Sequence, residues 1–322
     1  MASVEDILVA VCTAVCPSIV TAGDVAREQK RSNNAYLRTS LSRLDAVLHG
    51  GLPAATITEL AGPSGCGKTQ TCLMLSVLTT LSMSDGGLDG GVLYIDTESA
   101  FSAERLLEIA RNRYPGIFRN EEDTVKLSES VHVFTESTCT SLLKRLENIE
   151  DILIEKNIKL IVIDSIASLV RKEFDSRLGK NLIERTNLLA KQAAILKYTA
   201  ESFKIPVVVT NQITTRFGSI GYGADRPETS LDGDGSYVTA ALGNTWSHSV
   251  NTRLILQYMH DEQGRGGRRQ ILIAKSPVAP FAMFVYSIED SGIILHDDAG
   301  ADCYQGTDPG LQKITVRTSL PL

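Results

Sequence analysis

One stretch constrains this chain more than any other. TELAGPSGCGKTQ, residues 58–70, carries Gly62, four residues, and then Gly67, Lys68 and Thr69. This is the pattern G-x-x-x-x-G-K-[ST]. An apolar run, TITELAG (56–62), precedes it, and a helical stretch, TQTCLMLSVLTTL, follows it. A strand, a glycine-rich bend and a helix in that order form a cradle for phosphate. Glycines let successive backbone N–H groups converge, and the helix start adds its positive dipole end. Lys68 can reach the β and γ oxygens of a triphosphate, and the Thr69 hydroxyl can ligate Mg²⁺. Gly62, Pro63, Ser64, Gly65, Cys66, Gly67, Lys68, Thr69 and Gln70 are therefore the expected nucleotide-binding segment, with ATP and Mg²⁺ as ligands. Cys66 is read as a small spacer rather than a redox centre.

The rest of the chain repeats the theme. Short apolar runs at 56–62, 91–96, 131–134, 159–164, 206–211, 253–258 and 269–274 alternate with longer amphipathic segments near 69–83, 102–113, 138–156 and 181–203. Continuous Val/Ile/Leu runs separated by helices predict an α/β fold, a mostly parallel sheet covered on both faces. The last runs are joined by short Gly-rich turns such as QGRGG (263–267), which predicts antiparallel strands at one edge. TSLSRLDAVLHGGLP (39–53) reads as a helix ended by Gly50 and Gly51. Residues 1–17 read as a short helix on Val4, Ile7, Leu8, Val11 and Val15, and 18–36 as a polar linker. The expected organisation is therefore an N-terminal helix and tether (1–36), a P-loop NTPase core (37–298) and a disordered tail (299–322).

Composition narrows the function classes. The 322 residues carry 32 Lys plus Arg against 38 Asp plus Glu, a net charge of −6, so any nucleic-acid contact must come from a local basic cluster. Six cysteines without regular spacing are no disulfide scaffold and fit reduced, intracellular thiols. No apolar run reaches the ~20 residues of a membrane span, and acids in the first residues argue against an export or mitochondrial address.

Strand ends supply the remaining chemistry, because ligands of open α/β sheets bind beyond the carboxyl ends of strands. KLIVID places Asp164 at such an end, where an acid beside a phosphate loop holds Mg²⁺ together with Thr69. GVLYIDTES ends in Asp96 and Glu98, and Glu98 is the candidate to orient an attacking water. PVVVTNQ ends in Thr210, Asn211 and Gln212, and Gln212 could touch the γ-phosphate and report it to the next segment. That segment, 213–240, is glycine-rich and reads as a long loop. Its acids Asp225, Glu228, Asp232 and Asp234 outnumber Arg216 and Arg226, the wrong balance for phosphate. VRKEFDSRLGKN (170–181) is the better basic cluster, with Arg171, Lys172, Arg177 and Lys180.

Taken together, GPSGCGKTQ, VLYIDTESAFSAERL, LIVIDSIASLVRKEF, VVVTNQIT and ALGNTWSHSVNTRL resemble the core of the eukaryotic RecA-like DNA recombinases, from about residue 19 to 296. The wording of DTESAFSAERL, VRKEFD and AKSPVAPF is most similar to the B-paralogue branch of that family, a branch of the recombination-mediator paralogues. The resemblance implies a RecA-like fold and assigns Glu98 to water activation, Gln212 to γ-phosphate sensing and Arg105 to stacking on adenine. It implies that Arg177 lies in a first DNA loop, that 213–240 with Arg216 is a second, and that His248 faces a neighbouring subunit's nucleotide. Three features depart from the family pattern. Residues 1–36 are shorter than its helical N-terminal domain. The tether reads Ile19-Val20-Thr21-Ala22, an aliphatic residue standing where the family has an aromatic anchor, with Ala22 retained. The cap segment, Ala274-Lys275-Ser276-Pro277, has a lysine where the recombinase has an acid, so Lys275 is expected to place a cation, and Pro277 a contact, at a neighbour's ATP.

The resulting expectation is a nuclear, DNA-dependent ATPase subunit of a paralogue complex. It would pair with the C-type paralogue, and through it with the D- and XRCC-type paralogues. It would assist loading of the recombinase filament on single-stranded DNA in double-strand-break repair, with no membrane involved. The competing readings are a scaffold whose ATP is scarcely hydrolysed and a filament-forming strand-exchange recombinase. A P-loop kinase or helicase is disfavoured, because neither an acceptor lid nor repeated arginine motifs are visible.

Overall fold

In the computed structural model, residues 20–31, 36–174, 182–217, 236–240, 242–259 and 268–296 are described. They fall into two units, Met1–Ala35 and Tyr36–Leu322. Among the described residues the first holds one helix, α1 (Ala22–Arg31), inside the stretch expected as linker. It forms because Thr21 and Asp24 cap it reciprocally. The Asp24 N–H donates to Thr21 Oγ1 at 3.1 Å and the Thr21 N–H to Asp24 Oδ2 at 3.2 Å. The expected helix 1–17 and the tail 299–322 lie outside the described residues.

The second unit opens with β1 (Tyr36–Leu37) and β2 (Leu52–Pro53), an antiparallel pair flanking α2 (Ser42–Val47). That helix ends as the glycines led one to expect, with one difference: the left-handed residue is His49 (φ 57°). The Gly50 N–H then closes onto the Asp45 carbonyl at 2.8 Å.

The main sheet is built from β3 (Ile57–Gly62), β4 (Gly91–Asp96), β5 (Val131–Thr135), β6 (Ile158–Asp164), β7 (Val207–Phe217), β8 (Ser236–Ala240), β9 (Thr252–Tyr258), β10 (Arg269–Lys275), β11 (Met283–Glu289) and β12 (Gly292–Leu295). Among the described residues its order is β12-β11-β10-β9-β3-β7-β6-β4-β5, with β8 on the distal arm of β7. Strands β9 to β5 along this path are parallel, and β10 to β12 continue it antiparallel, as the Gly-rich turns indicated. The helices are α3 (Lys68–Thr80), α4 (Ala103–Arg113), α5 (Glu121–Ser130), α6 (Cys139–Glu147), α7 (Glu150–Glu155), α8 (Ile166–Glu173), α9 (Leu182–Phe203) and α10 (Gly243–Ser249). None is long and apolar enough to cross a membrane.

Alternation along each strand feeds two cores. Leu160 and Val162 of β6 join α3 and α4 on one face, while Ile161 and Ile163 join α6, α8, α9 and α10 on the other. Two expectations need correction. The helix expected over 138–156 breaks into α6 and α7 at Asn148, whose amide folds back onto the Lys144 carbonyl at 2.8 Å. The segment 213–240 is not loop throughout. Its ends, ITTRF and SYVTA, are rich in β-branched and aromatic residues and pair as the arms of an antiparallel ladder, Thr215 opposite Val238.

Candidate nucleotide site

Sheet register brings the chemistry together. Gly62 of β3 lies beside Gln212 of β7, and Asp96 of β4 beside Asp164 of β6, all at carboxyl ends of parallel strands. The loop from β3 into α3 fills the space between them. Gly67, the residue before α3, adopts φ 93°. A Cβ there would stand 2.8 Å from Ile288 Cδ1, the movable tip of a side chain, so it is the left-handed backbone that calls for glycine. No side chain caps α3, which leaves its first N–H groups available to an anion.

The loop's carbonyls, by contrast, are occupied. Lys68 Nζ donates to the carbonyls of Gly62 and Pro63, both at 2.9 Å. The Tyr258 hydroxyl donates to the Ser64 carbonyl at 3.4 Å and the Tyr286 hydroxyl to that of Cys66. Side chains of β9 and β11 thus brace the cradle from outside. Burial pushes the Cys66 thiol up to about 11, despite the opposing Lys68 and Arg269. A buried thiol held above its ordinary range is a poor nucleophile near neutral pH. Burial also pushes the Lys68 ammonium below its ordinary value, against the pull of Asp164 and Glu98.

A cleft of ≈540 Å³ opens above the loop and gathers Lys68, Thr69, Gln70, Glu98, Arg105, Asp164 and Gln212. Thr69 Oγ1 donates to Asp164 Oδ2 at 2.7 Å. Tyr94 donates to the same oxygen at 2.9 Å, and Thr210 binds the other. Among the described residues, no cluster of three or more His, Cys, Asp or Glu side chains could hold a metal. A cation here would have one hydroxyl, one carboxylate, phosphate oxygens and water. That all-oxygen donor set fits Mg²⁺, which keeps its waters, and lacks the nitrogen and sulfur ligands of a zinc site.

The two acids after β4 separate cleanly. Asp96 accepts from the N–H groups of Glu98, Ala100 and Phe101 and so holds the turn. Glu98 faces the cleft, where its Oε1 accepts from Ser165 Oγ at 2.6 Å and from Gln212 Nε2 at 3.2 Å. Gln212 in turn accepts from Arg171, at the end of α8. Arg171, expected in a DNA cluster, is thus tied to the nucleotide cleft through a neutral amide. Lys172 is exposed beside it. Arg177, Lys180 and Ile19 lie outside the described residues, and of Arg216 only the backbone, in β7, is described.

Arg105 donates to Gln70 Oε1 at 2.7 Å, to the Glu108 carboxylate at 2.6 Å and to the carbonyls of Glu289 and Asp290 in the β11–β12 turn. These bonds fix its guanidinium plane at the cleft. Lys275 and Pro277 do not line this cleft. Lys275 pairs with Arg253, which pairs with Glu59, toward the opposite end of the sheet. Its ammonium donates to the carbonyls of Ser247 (2.9 Å) and Val250 (2.6 Å), at the carboxyl end of α10. His248 is exposed on that helix, and Ala22 is exposed at the start of α1. Sequence reasoning missed Tyr94, Ser165, Tyr258, Tyr286 and Glu59. Glu59 alone left a signal, a charged residue inside an otherwise buried strand.

The profile of the Rad51 family matches residues 30–296. The human "DNA repair protein RAD51 homolog 2" is 51% identical over 303 residues, covering 91% of this chain and 78% of that protein. Its mouse counterpart is 50% identical over 301 residues, covering 91% and 85%. The Arabidopsis thaliana "DNA repair protein XRCC3 homolog" is 30% identical over 300 residues, covering 82% of this chain and 94% of that protein.

Proposed function

The chain belongs to the Rad51 family, whose members are DNA-dependent ATPases, and from that premise we propose that it serves recombinational DNA repair as an ATP-hydrolysing subunit of a paralogue complex in the nucleus. One observation carries the nucleotide reading. Thr69 and Asp164 meet at 2.7 Å in the cleft that also holds Lys68, Glu98 and Gln212.

Each residue then has a task. The α3 amides receive the phosphates, and Lys68 exchanges its loop carbonyls for phosphate oxygens. Thr69 and Asp164 hold Mg²⁺, which when bound neutralises charge on the β- and γ-phosphates. Arg105 offers its plane to the base. Glu98, released from Ser165 and Gln212, orients the attacking water. Gln212, at the root of the second loop, registers the γ-phosphate. Lys172, exposed at the root of the first loop, and Arg171, once released from Gln212, are cations placed for single-stranded DNA.

Kinship with both a RAD51 homolog and an XRCC3 homolog supports a partner from the same family. We read it as the C-type paralogue, with D- and XRCC-type subunits beyond it, the assembly acting on recombinase loading. ATP turnover of the purified complex, compared with Glu98→Gln, tests the reading. The variant should bind ATP yet lose turnover. Equal rates would reduce ATP to a structural ligand, and long filaments of the lone chain on single-stranded DNA would replace the mediator reading with a recombinase.

A further inference from the structure

Glu59 sits in the middle of β3, fully buried, three residues before Gly62. The cleft does not use it. Its Oε1 accepts from Asn211 Nδ2 at 2.6 Å and from Trp246 Nε1 at 2.9 Å. Its Oε2 is bound by Arg253, whose Nη1 reaches Ser247 Oγ at 3.0 Å. One buried charge therefore gathers four elements. β3 runs into the phosphate loop. β7 carries Asn211 immediately before Gln212. α10 carries Trp246 two residues before the exposed His248. β9 supplies the counter-charge.

A buried carboxylate stripped of a donor is strongly unfavourable. These elements must therefore move together or exchange partners. The cluster holds the means of exchange. Asn211 Oδ1 and Arg253 Nη2 are both buried without a hydrogen-bond partner, one spare acceptor and one spare donor beside the same carboxylate. Spare capacity of this kind gives a buried network a second arrangement close in energy to the first.

We propose that Glu59 is the positioning residue that couples the γ-phosphate state, read at Gln212, to the placement of α10 and its His248. This rests on the nucleotide reading above and adds its route of regulation. When Gln212 turns from Glu98 to a γ-phosphate, Asn211 shifts with it. Glu59 exchanges donors, and Trp246 with its helix follows. The two ends are linked reciprocally, so a partner held on α10 would alter preference between tri- and diphosphate by the same factor.

The chain has a single tryptophan, Trp246, so its own emission reports the bond to Glu59. The full-length protein is titrated with a non-hydrolysable Mg·ATP analogue and with Mg·ADP, with calorimetry run in parallel to measure binding. The wild type should show different Trp246 emission in the two saturated states. Asn211→Ser, away from the cleft, should bind both nucleotides as the wild type does and lose that difference. Gln212→Ala leaves the buried cluster untouched and should lose it too, which guards against a folding defect in the first variant. A wild type whose emission is the same in both states overturns the proposal, as does a difference retained in either variant. If calorimetry finds no nucleotide binding by the wild type, the nucleotide reading fails first and the coupling falls with it.

Discussion

Replacing Lys68 by methionine separates what this side chain does for ATP from what it does for the fold. In the structure its ammonium donates two bonds of 2.9 Å to loop carbonyls. On binding it trades them for phosphate oxygens. A bond between ammonium and phosphate lies toward about 3 kcal/mol, and one from ammonium to a neutral carbonyl toward about 1.5 kcal/mol. Two exchanged bonds thus leave a net of about 3 kcal/mol, a loss of roughly 140-fold in affinity at about 1.4 kcal/mol per decade. Stability should move the other way. Burial holds the folded pKa of Lys68 below its unfolded value, so the charged form favours the unfolded chain at neutral pH. The stabilising contribution of such a group is present above the unfolded pKa and lost as pH falls through the folded one. Lys68→Met should therefore melt at or above the wild-type temperature at neutral pH, and that advantage should shrink as pH approaches about 10. Calorimetric titration with Mg·ATP and thermal melts across pH read both effects. A variant that binds ATP within about threefold of the wild type, against the roughly tenfold that each 1.4 kcal/mol brings, or that melts below it at neutral pH, would refute the reasoning.

Three further outcomes follow from the same geometry. Gly67→Ala forces a Cβ into a left-handed backbone against Ile288. It should cost about 1–2 kcal/mol and abolish ATP binding, seen as a lower melt that ATP no longer raises. Tyr94→Phe removes one of three donors on Asp164. It should lower stability by about 1 kcal/mol in urea melts, with binding still Mg²⁺-dependent. Cys66, pushed up to about 11, should resist iodoacetamide near neutral pH until the chain unfolds, and rapid labelling of the native protein would contradict its burial. Its folded pKa is the higher one, so its contribution to stability is full below about 9 and is lost as pH rises toward about 11.

Much of this fold was legible in the chain, because its signals are local. A buried parallel strand must be continuously apolar, so β3, β4, β6 and β7 stood out in the sequence. The phosphate loop is local too, since both its glycines and its lysine lie within a few residues. Asp164 and Glu98 were legible for a related reason: a polar residue closing an apolar strand has to sit at a sheet end. The short helices α5 and α8 were not legible. Neither were the strands β11 and β12, whose pairing depends on an edge formed elsewhere.

What the sequence alone determined, then, is the phosphate cradle and the alternating architecture that presents it. Only tertiary structure could decide that Arg171 bonds Gln212 beside Glu98, that Lys275 caps α10 and stands away from the cleft, and that Glu59 gathers Asn211, Trp246 and Arg253. Those contacts join residues 25 to 194 positions apart. Nothing in a chain's local pattern says which distant donor will satisfy a buried charge. That is settled when the sheet closes and each buried polar group must find a partner or stay bare.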